Sequence, residues 1–400
     1  MAFSYVVQPG DTLYRIARRY GLNVPSILAA NPSLQENVYL QPGQVLTVPA
    51  SHGSTYVIQA GDTLYDIARR FTISLAALQA ANPGIDPVRL RIGQTIVLPP
   101  ARGERIVDIG NEYGYAEMNE DIRLLLQKYP FLQAGMIGQS VLGKPIPVIR
   151  IGNGEKQVHY NGAFHANEWI TTPLLMRFIE EYADSYQNQT RLRGRDMAQL
   201  YAEASLWVVP MVNPDGVELV QEGAQPGNPY YSQLLEWNNG SADFRRWKAN
   251  IRGVDLNDQF PAHWEIERDR RAVEGPGPRD YVGPFPLSEP ESQAMANFTN
   301  QHSFRLVIAF HTQGQEIYWN YRDLEPPESK GIADRFAAVS GYRAVKLTGS
   351  DAGYKDWFIQ ELRRPGFTVE AGLGINPLPV SQFNGMYDDV IGILLEGLKA

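Results

Sequence analysis

Four residues of this chain have types and positions suited to hydrolytic metal chemistry: His165, Glu168, His311 and Glu370. The first two stand three apart in His159-Tyr160-Asn161-Gly162-Ala163-Phe164-His165-Ala166-Asn167-Glu168-Trp169, where an apolar run feeds into the histidine. A turn or a helical start brings positions i and i+3 to one side, so an imidazole and a carboxylate can face one ion. Zinc takes nitrogen and oxygen ligands of this kind, and its catalytic sites usually hold three protein ligands and one open position. His-x-x-Glu alone is common in a long chain, so the downstream residues decide its meaning. His311 directly follows the strand-like run Leu306–Phe310, and Glu370 directly follows Phe367–Val369. Two imidazoles, one ligating carboxylate and one spare carboxylate make up the inventory of a hydrolytic zinc site. The competing structural reading makes His311 a buried, hydrogen-bonded histidine and Glu370 the partner of an arginine.

The elements that must position these groups begin after Ile106. The pattern predicts strands at Pro147–Ile151, Gln157–Ala163, Leu206–Val212, Leu306–Phe310, Ala344–Leu347 and Phe367–Val369. Helices are expected over Met118–Lys128, Thr171–Tyr186, Glu289–Gln301, Ser329–Val339 and Asp388–Leu398. Alternating strands and helices specify an α/β domain with a sheet covered on both faces. In open sheets of this kind, ligands sit past the carboxyl ends of the strands, where the candidate groups fall.

Composition narrows the partners. The 400 residues carry a net charge of −8 and are 44% hydrophobic, enough for a sizeable core and more than one domain. Residues 1–100 hold 7 Lys+Arg against 5 Asp+Glu, and residues 101–400 hold 29 against 39. An acidic main body without a basic cluster or a Gly-rich phosphate loop argues against nucleic acid. Cysteine is absent, so any metal rests on His, Asp or Glu. No stretch reads as a membrane span or a signal peptide, because patterned sequence begins at Tyr5. The expectation is therefore a cytoplasmic product, of the kind made during sporulation, or one associated with the cell wall after lysis.

The first hundred residues are a repeat. Tyr5-Val6-Val7-Gln8-Pro9-Gly10-Asp11-Thr12-Leu13-Tyr14-Arg15-Ile16-Ala17 returns as Tyr56-Val57-Ile58-Gln59-Ala60-Gly61-Asp62-Thr63-Leu64-Tyr65-Asp66-Ile67-Ala68, and Ala30-Asn31-Pro32 returns as Ala81-Asn82-Pro83. Each unit reads strand–helix–helix–strand, closing at Val45–Val48 and Thr95–Leu98. These residues resemble the LysM module, a small βααβ domain that binds N-acetylglucosamine-containing glycans. The resemblance implies a shallow glycan groove lined by Gly10, Asp11, Thr12, Asn31 and Pro32, and by Gly61, Asp62, Thr63, Asn82 and Pro83. A repeated spacer without retained binding is the bland alternative. Ser51–Ser54 and the Pro99-Pro100-Ala101-Arg102-Gly103 stretch read as linkers, which predicts domains at 1–50, 55–100 and 104–400.

From about Met118 onward the chain resembles the zinc carboxypeptidase (funnelin) family. The match rests on His165-x-x-Glu168, Asn213-Pro214-Asp215-Gly216, Gly253-Val254-Asp255-Leu256-Asn257, His311, Asp356-Trp357 and Glu370. It implies a mixed, mainly parallel eight-stranded sheet between helices, one Zn2+ on His165, Glu168 and His311, and Glu370 as the catalytic glutamate. The family also supplies a cation for the developing oxyanion, upstream of the Gly-x-Asp-x-Asn stretch. Arg252 is the better match by this reading, shifted by one residue, and Lys248 is the runner-up.

Two departures bear on specificity. Carboxypeptidases follow the asparagine with an arginine that clamps the substrate's free carboxylate, whereas Asn257 is followed by Asp258. The tyrosine that covers substrate in digestive members falls near Thr348, so its role is absent or passes to Tyr354. Asn257, Asp258, Asp356 and Tyr354 form the expected substrate-binding set, with Asp258 placed to attract an ammonium group. Together with the tandem LysM modules, the pattern resembles bacterial γ-D-glutamyl-L-diamino acid endopeptidases, which cut peptidoglycan stem peptides between D-Glu and meso-diaminopimelate. Two alternatives stand beside it: a conventional carboxypeptidase delivered to the wall, and an inactive glycan-binding protein.

Overall fold

The computed structural model describes residues 105–109 and 112–400, and within 3–98 the segments 3–7, 24–32, 43–48, 55–59, 62–64 and 93–98 with pairs and single positions between them. The chain divides into two compact units, Met1–Asn111 and Glu112–Ala400.

In the first unit, β1 (Phe3–Val6) pairs antiparallel with β2 (Val45–Val48), and β3 (Thr55–Val57) pairs antiparallel with β4 (Thr95–Val97). Each pair closes its own apolar core. Val7, Leu13, Ile16, Ile27, Leu46 and Val48 build one, and Ile58, Leu64, Ile67, Leu78, Ile96 and Leu98 build the other. Helix Val24–Ala30 packs on the first. Both cores carry the same polar staple. Asn31 donates to Ile27 O and Thr47 O (2.8 and 2.6 Å) and accepts from Thr47 N (2.7 Å). Asn82 does the same with Leu78 O, Val97 O and Val97 N, at 2.7, 2.8 and 2.8 Å.

The second unit is built on one mixed sheet. Its strands are β5 (Gln133–Gln139), β6 (Pro145–Ile151), β7 (Lys156–Gly162), β10 (Ala204–Val209), β11 (Leu306–His311), β12 (Glu316–Tyr318), β13 (Arg343–Val345) and β14 (Gly366–Glu370). They run in the order β13-β12-β14-β11-β7-β10-β6-β5. Strands β8 (Arg191–Leu192) and β9 (Arg195–Asp196) form a separate small hairpin. The four central strands β14, β11, β7 and β10 are mutually parallel, and antiparallel neighbours flank them. Their residues are almost all buried, because helices cover both faces. Side chains therefore alternate between two apolar layers. His159 meets Phe298, Phe304 and Tyr354 on one face, while Tyr160 donates to Leu394 O at 2.7 Å on the other.

The predicted strands are present with small shifts. The strand expected over Leu206–Val212 ends at Val209, before Pro210, which has no N–H to give to the ladder. β5 and β12 were not foreseen, nor were helices Met197–Glu203, Pro214–Glu222, Tyr231–Trp237, Trp264–Arg271 and Tyr354–Leu362. Among the described residues, no helix is long and apolar enough to cross a membrane.

Candidate active site

Parallel pairing puts the carboxyl ends of β7, β11 and β14 on one edge, with Phe310 beside Gly162 and His311 beside Glu370. At the end of β7 the chain turns sharply. A Cβ on Gly162 would stand 2.9 Å from Thr171 Oγ1 and 3.1 Å from Leu175 Cδ1, so glycine lets the following helix approach. Ala163 adopts φ 50° and is held there: its N–H donates to Thr171 Oγ1 (2.9 Å), whose hydroxyl donates to Glu168 O (2.8 Å). The 3-10 turn Ala166–Glu168 then brings His165 and Glu168 to the same side. Asn213 fixes this turn from outside, donating to Phe164 O and Ala249 O and accepting from Gly216 N. The Asn213–Gly216 stretch is thus architectural.

His165, Glu168 and His311 converge, all buried. His165 Nδ1 lies 2.9 Å from Glu168 Oε1, His311 Nδ1 lies 3.0 Å from Glu168 Oε2, and the two Nδ1 atoms are 3.1 Å apart. Ligand atoms around one tetrahedral zinc at ~2.0–2.1 Å stand about 3.3 Å apart, so three lone pairs already sit close to that spacing. Asp255 Oδ1 lies 3.2 Å from His165 Nε2, an outer carboxylate beside the ring nitrogen opposite Nδ1. The donor set, its spacing and its outer carboxylate all fit a zinc ion. Burial opposes ionisation of Glu168, but the two histidines outweigh it and hold the carboxyl well below its usual range.

Glu370 stands abreast of His311 on the neighbouring strand, partly exposed. Burial is the main influence on it, raising its pKa to about 8, with His311 and Lys248 pulling the other way and Glu168 and Glu316 adding to the rise. A cation in the cluster acts in the same direction as His311, toward the ionised base.

The two candidate oxyanion cations lie in different surroundings. Lys248 is nearly buried and pairs through Nζ with Asp255 Oδ2 at 2.9 Å. Burial disfavours its charge, but Asp255, Asp258 and Glu168 outweigh that and raise its pKa. Arg252, 42% exposed, bonds Tyr230 OH (3.2 Å) and lies 3.7 Å from Glu289 Oε2. Of the two candidates, Lys248 is the one paired to the carboxylate that also faces His165.

The expected substrate set is also revised. Tyr354 is fully buried, packed against Phe164, Phe260 and Trp357, with its hydroxyl 2.9 Å from Thr299 Oγ1, so it cannot cover a substrate. Asp258 is only 3% exposed and faces Arg271 NH2 at 2.9 Å, so its carboxylate is already matched by a cation. Arg271 in turn reaches Asp280 (3.1 Å) and Glu267 (2.7 Å). Asp356 is buried, accepts from Gly353 N at 3.2 Å and pairs with Lys355, capping helix Tyr354–Leu362. Asn257 is half-buried and contacts Tyr354 N through Oδ1 at 3.4 Å.

Three contributors were not assigned from sequence: Asp255, Thr312 and Asn376. Asp255 lay in a stretch already singled out, and its place after Gly253-Val254 was the available signal. Thr312 N and Asn376 Nδ2 reach Glu168 from distant positions, for which one sequence offers no signal. In the first unit, Asn31 and Asn82 spend their amides on the staples described above, Pro32 is exposed, and Asp62 accepts from Gln59 N (2.8 Å) and Tyr56 OH (2.7 Å). Thr63 is exposed; Gly10, Asp11, Thr12, Gly61 and Pro83 lie outside the described residues.

Compared with known families, residues 118–374 match the zinc carboxypeptidase description. The chain belongs to the zinc carboxypeptidase family. Residues 5–49 and 56–99 each match the LysM domain, so this is a family member with two LysM domains. It is 48% identical over 393 residues to the gamma-D-glutamyl-L-diamino acid endopeptidase 1 of Lysinibacillus sphaericus, covering 98% of this chain and 99% of that one. It is 42% identical to the protein YqgT of Bacillus subtilis (strain 168), covering 72% of this chain and 77% of that one. The solved structure of bovine thrombin-activatable fibrinolysis inhibitor superposes with a TM-score of 0.57 at 20% identity, over 72% of this chain and 97% of that one, which shows a shared fold.

Proposed function

We propose that this metallopeptidase hydrolyses the γ-D-glutamyl–meso-diaminopimelate bond of peptidoglycan stem peptides, with its LysM domains holding the enzyme on the glycan. The observation that carries the reading is the convergence of His165, Glu168 and His311 beside Glu370, in a chain similar over its full length to a gamma-D-glutamyl-L-diamino acid endopeptidase. Zinc held by His165, Glu168 and His311 would supply Lewis-acid polarisation and a water acidic near pH ~7. Glu370, across the strand pair from His311, takes the proton of the attacking water and passes it to the leaving amine. Lys248 presents its ammonium to the charge that develops on the carbonyl oxygen, fixed by Asp255. Of the four residues expected to bind substrate, Asn257 is the one that is not fully buried.

The test separates holding the metal from moving the proton. Glu370→Gln should retain one zinc per chain and lose turnover by several orders of magnitude, whereas His165→Ala should lose both. Active wild-type protein free of transition metal, or a Glu370→Gln variant with full activity, contradicts the reading.

A further inference from the structure

The loop after β14 returns to the ligand cluster through a single side chain. Asn376 Nδ2 donates to Glu168 Oε1 at 3.3 Å and to Thr312 O at 2.8 Å, while its Oδ1 accepts from Thr312 Oγ1 at 2.7 Å. Three bonds fix which end of the amide is donor and which is acceptor. The second Glu168 oxygen, Oε2, accepts from Thr312 N at 3.2 Å. Each oxygen of Glu168 therefore meets one amide N–H and faces one imidazole nitrogen, Oε1 with His165 and Oε2 with His311.

We infer that Asn376 is a positioning residue of the metal centre: its amide, oriented by Thr312, holds the Glu168 carboxylate plane so that Oε1 faces His165 and Oε2 faces His311. The terminal torsion of a glutamate is broad and roughly two-fold, so burial alone does not select one carboxylate plane. With the Asn376 donor removed, Thr312 N still ties Oε2 but nothing equivalent ties Oε1, and the group turns away from symmetric presentation. The loop itself is fastened elsewhere. Gly372 O accepts from Gly314 N at 2.9 Å, Gln382 Nε2 donates to Leu373 O at 2.8 Å, and Gly374 N donates to Gln313 Oε1 at 3.3 Å. Truncating Asn376 thus removes the donor without releasing the loop.

The inference rests on reading the cluster as a metal site, and its test keeps the two apart. Full-length wild type, Asn376→Ala, Thr312→Val and Thr312→Ser are stripped of metal and compared for zinc affinity by chelator competition. Their visible absorption is compared after loading with Co2+. Asn376→Ala should bind zinc about 10- to 100-fold more weakly and show altered Co2+ bands. Thr312→Val should move both readouts the same way by less, and Thr312→Ser should match wild type. Unchanged affinity and spectrum in Asn376→Ala overturn the inference while leaving the metal site standing. If the metal-free Asn376→Ala protein is unfolded by circular dichroism, Thr312→Val decides, and wild-type behaviour there overturns it. Wild-type protein that binds neither ion overturns the metal reading itself.

Discussion

Asp255 divides its two oxygens between His165 and Lys248, at 3.2 and 2.9 Å. Burial disfavours its charge, yet Lys248 and His165 together keep the carboxyl well below the usual range. The residue that faces a candidate ligand imidazole thus also anchors the ammonium beside it. Removing Lys248 deletes that cation, so Lys248→Ala should lower kcat by about 100- to 1000-fold with zinc retained. Arg252→Ala should stay close to wild type in steady-state kinetics, since its side chain serves Tyr230 and Glu289. The reverse ranking would return the role to Arg252. Asp258 illustrates a limit of reading one residue at a time. Its acid side chain suggested an ammonium receptor, but the partner is Arg271 from a helix the sequence pattern did not reveal.

The central strands were legible because continuous apolar runs such as Leu306–Phe310 are what a sheet buried on both faces requires. His165, His311 and Glu370 stood out because they follow such runs directly. β5 lacked that signal: Gln133–Gln139 is an edge strand, mostly exposed, without an apolar alternation. β12 is only Glu316–Tyr318, and helix Trp264–Arg271 is mostly charged and held by ion pairs of Arg270 and Arg271. Helix Pro290–Asn300 shows what such polar packing does to stability. Glu291, in its first turn, is fully buried and accepts from two neutral donors, Val141 N (3.0 Å) and Asn250 Nδ2 (3.4 Å). Burial raises its pKa from 4.5 to about 7, with Asp215 and Glu289 adding to the rise. The folded state therefore keeps a proton that the unfolded chain has released. Stability from this group is present below pH ~4.5 and is lost as pH rises through about 7. Glu291→Gln should be more resistant to urea than wild type at pH 8, relative to pH 5, by about 3 kcal/mol. An identical pH slope in the two proteins would contradict this.

At the scale of the whole molecule, the two units divide binding from chemistry. All three candidate ligands, Glu370 and Lys248 lie in Glu112–Ala400, and both LysM matches lie in Met1–Asn111. Two LysM domains that each bind glycan would raise the effective concentration of the peptidase at a polymer without changing its chemistry. Removing residues 1–100 should leave kcat/KM on a soluble stem peptide nearly unchanged and weaken co-sedimentation with intact sacculi. Equal sedimentation of the two forms would make the LysM domains idle in binding. The most direct test of the whole account is product analysis with the full-length zinc protein and L-Ala-γ-D-Glu-meso-diaminopimelate. Release of L-Ala-D-Glu and free diaminopimelate, abolished by chelator and restored by zinc, is the predicted result. Cleavage at another bond, or none while an ordinary peptide with a free C-terminus is trimmed, would contradict it.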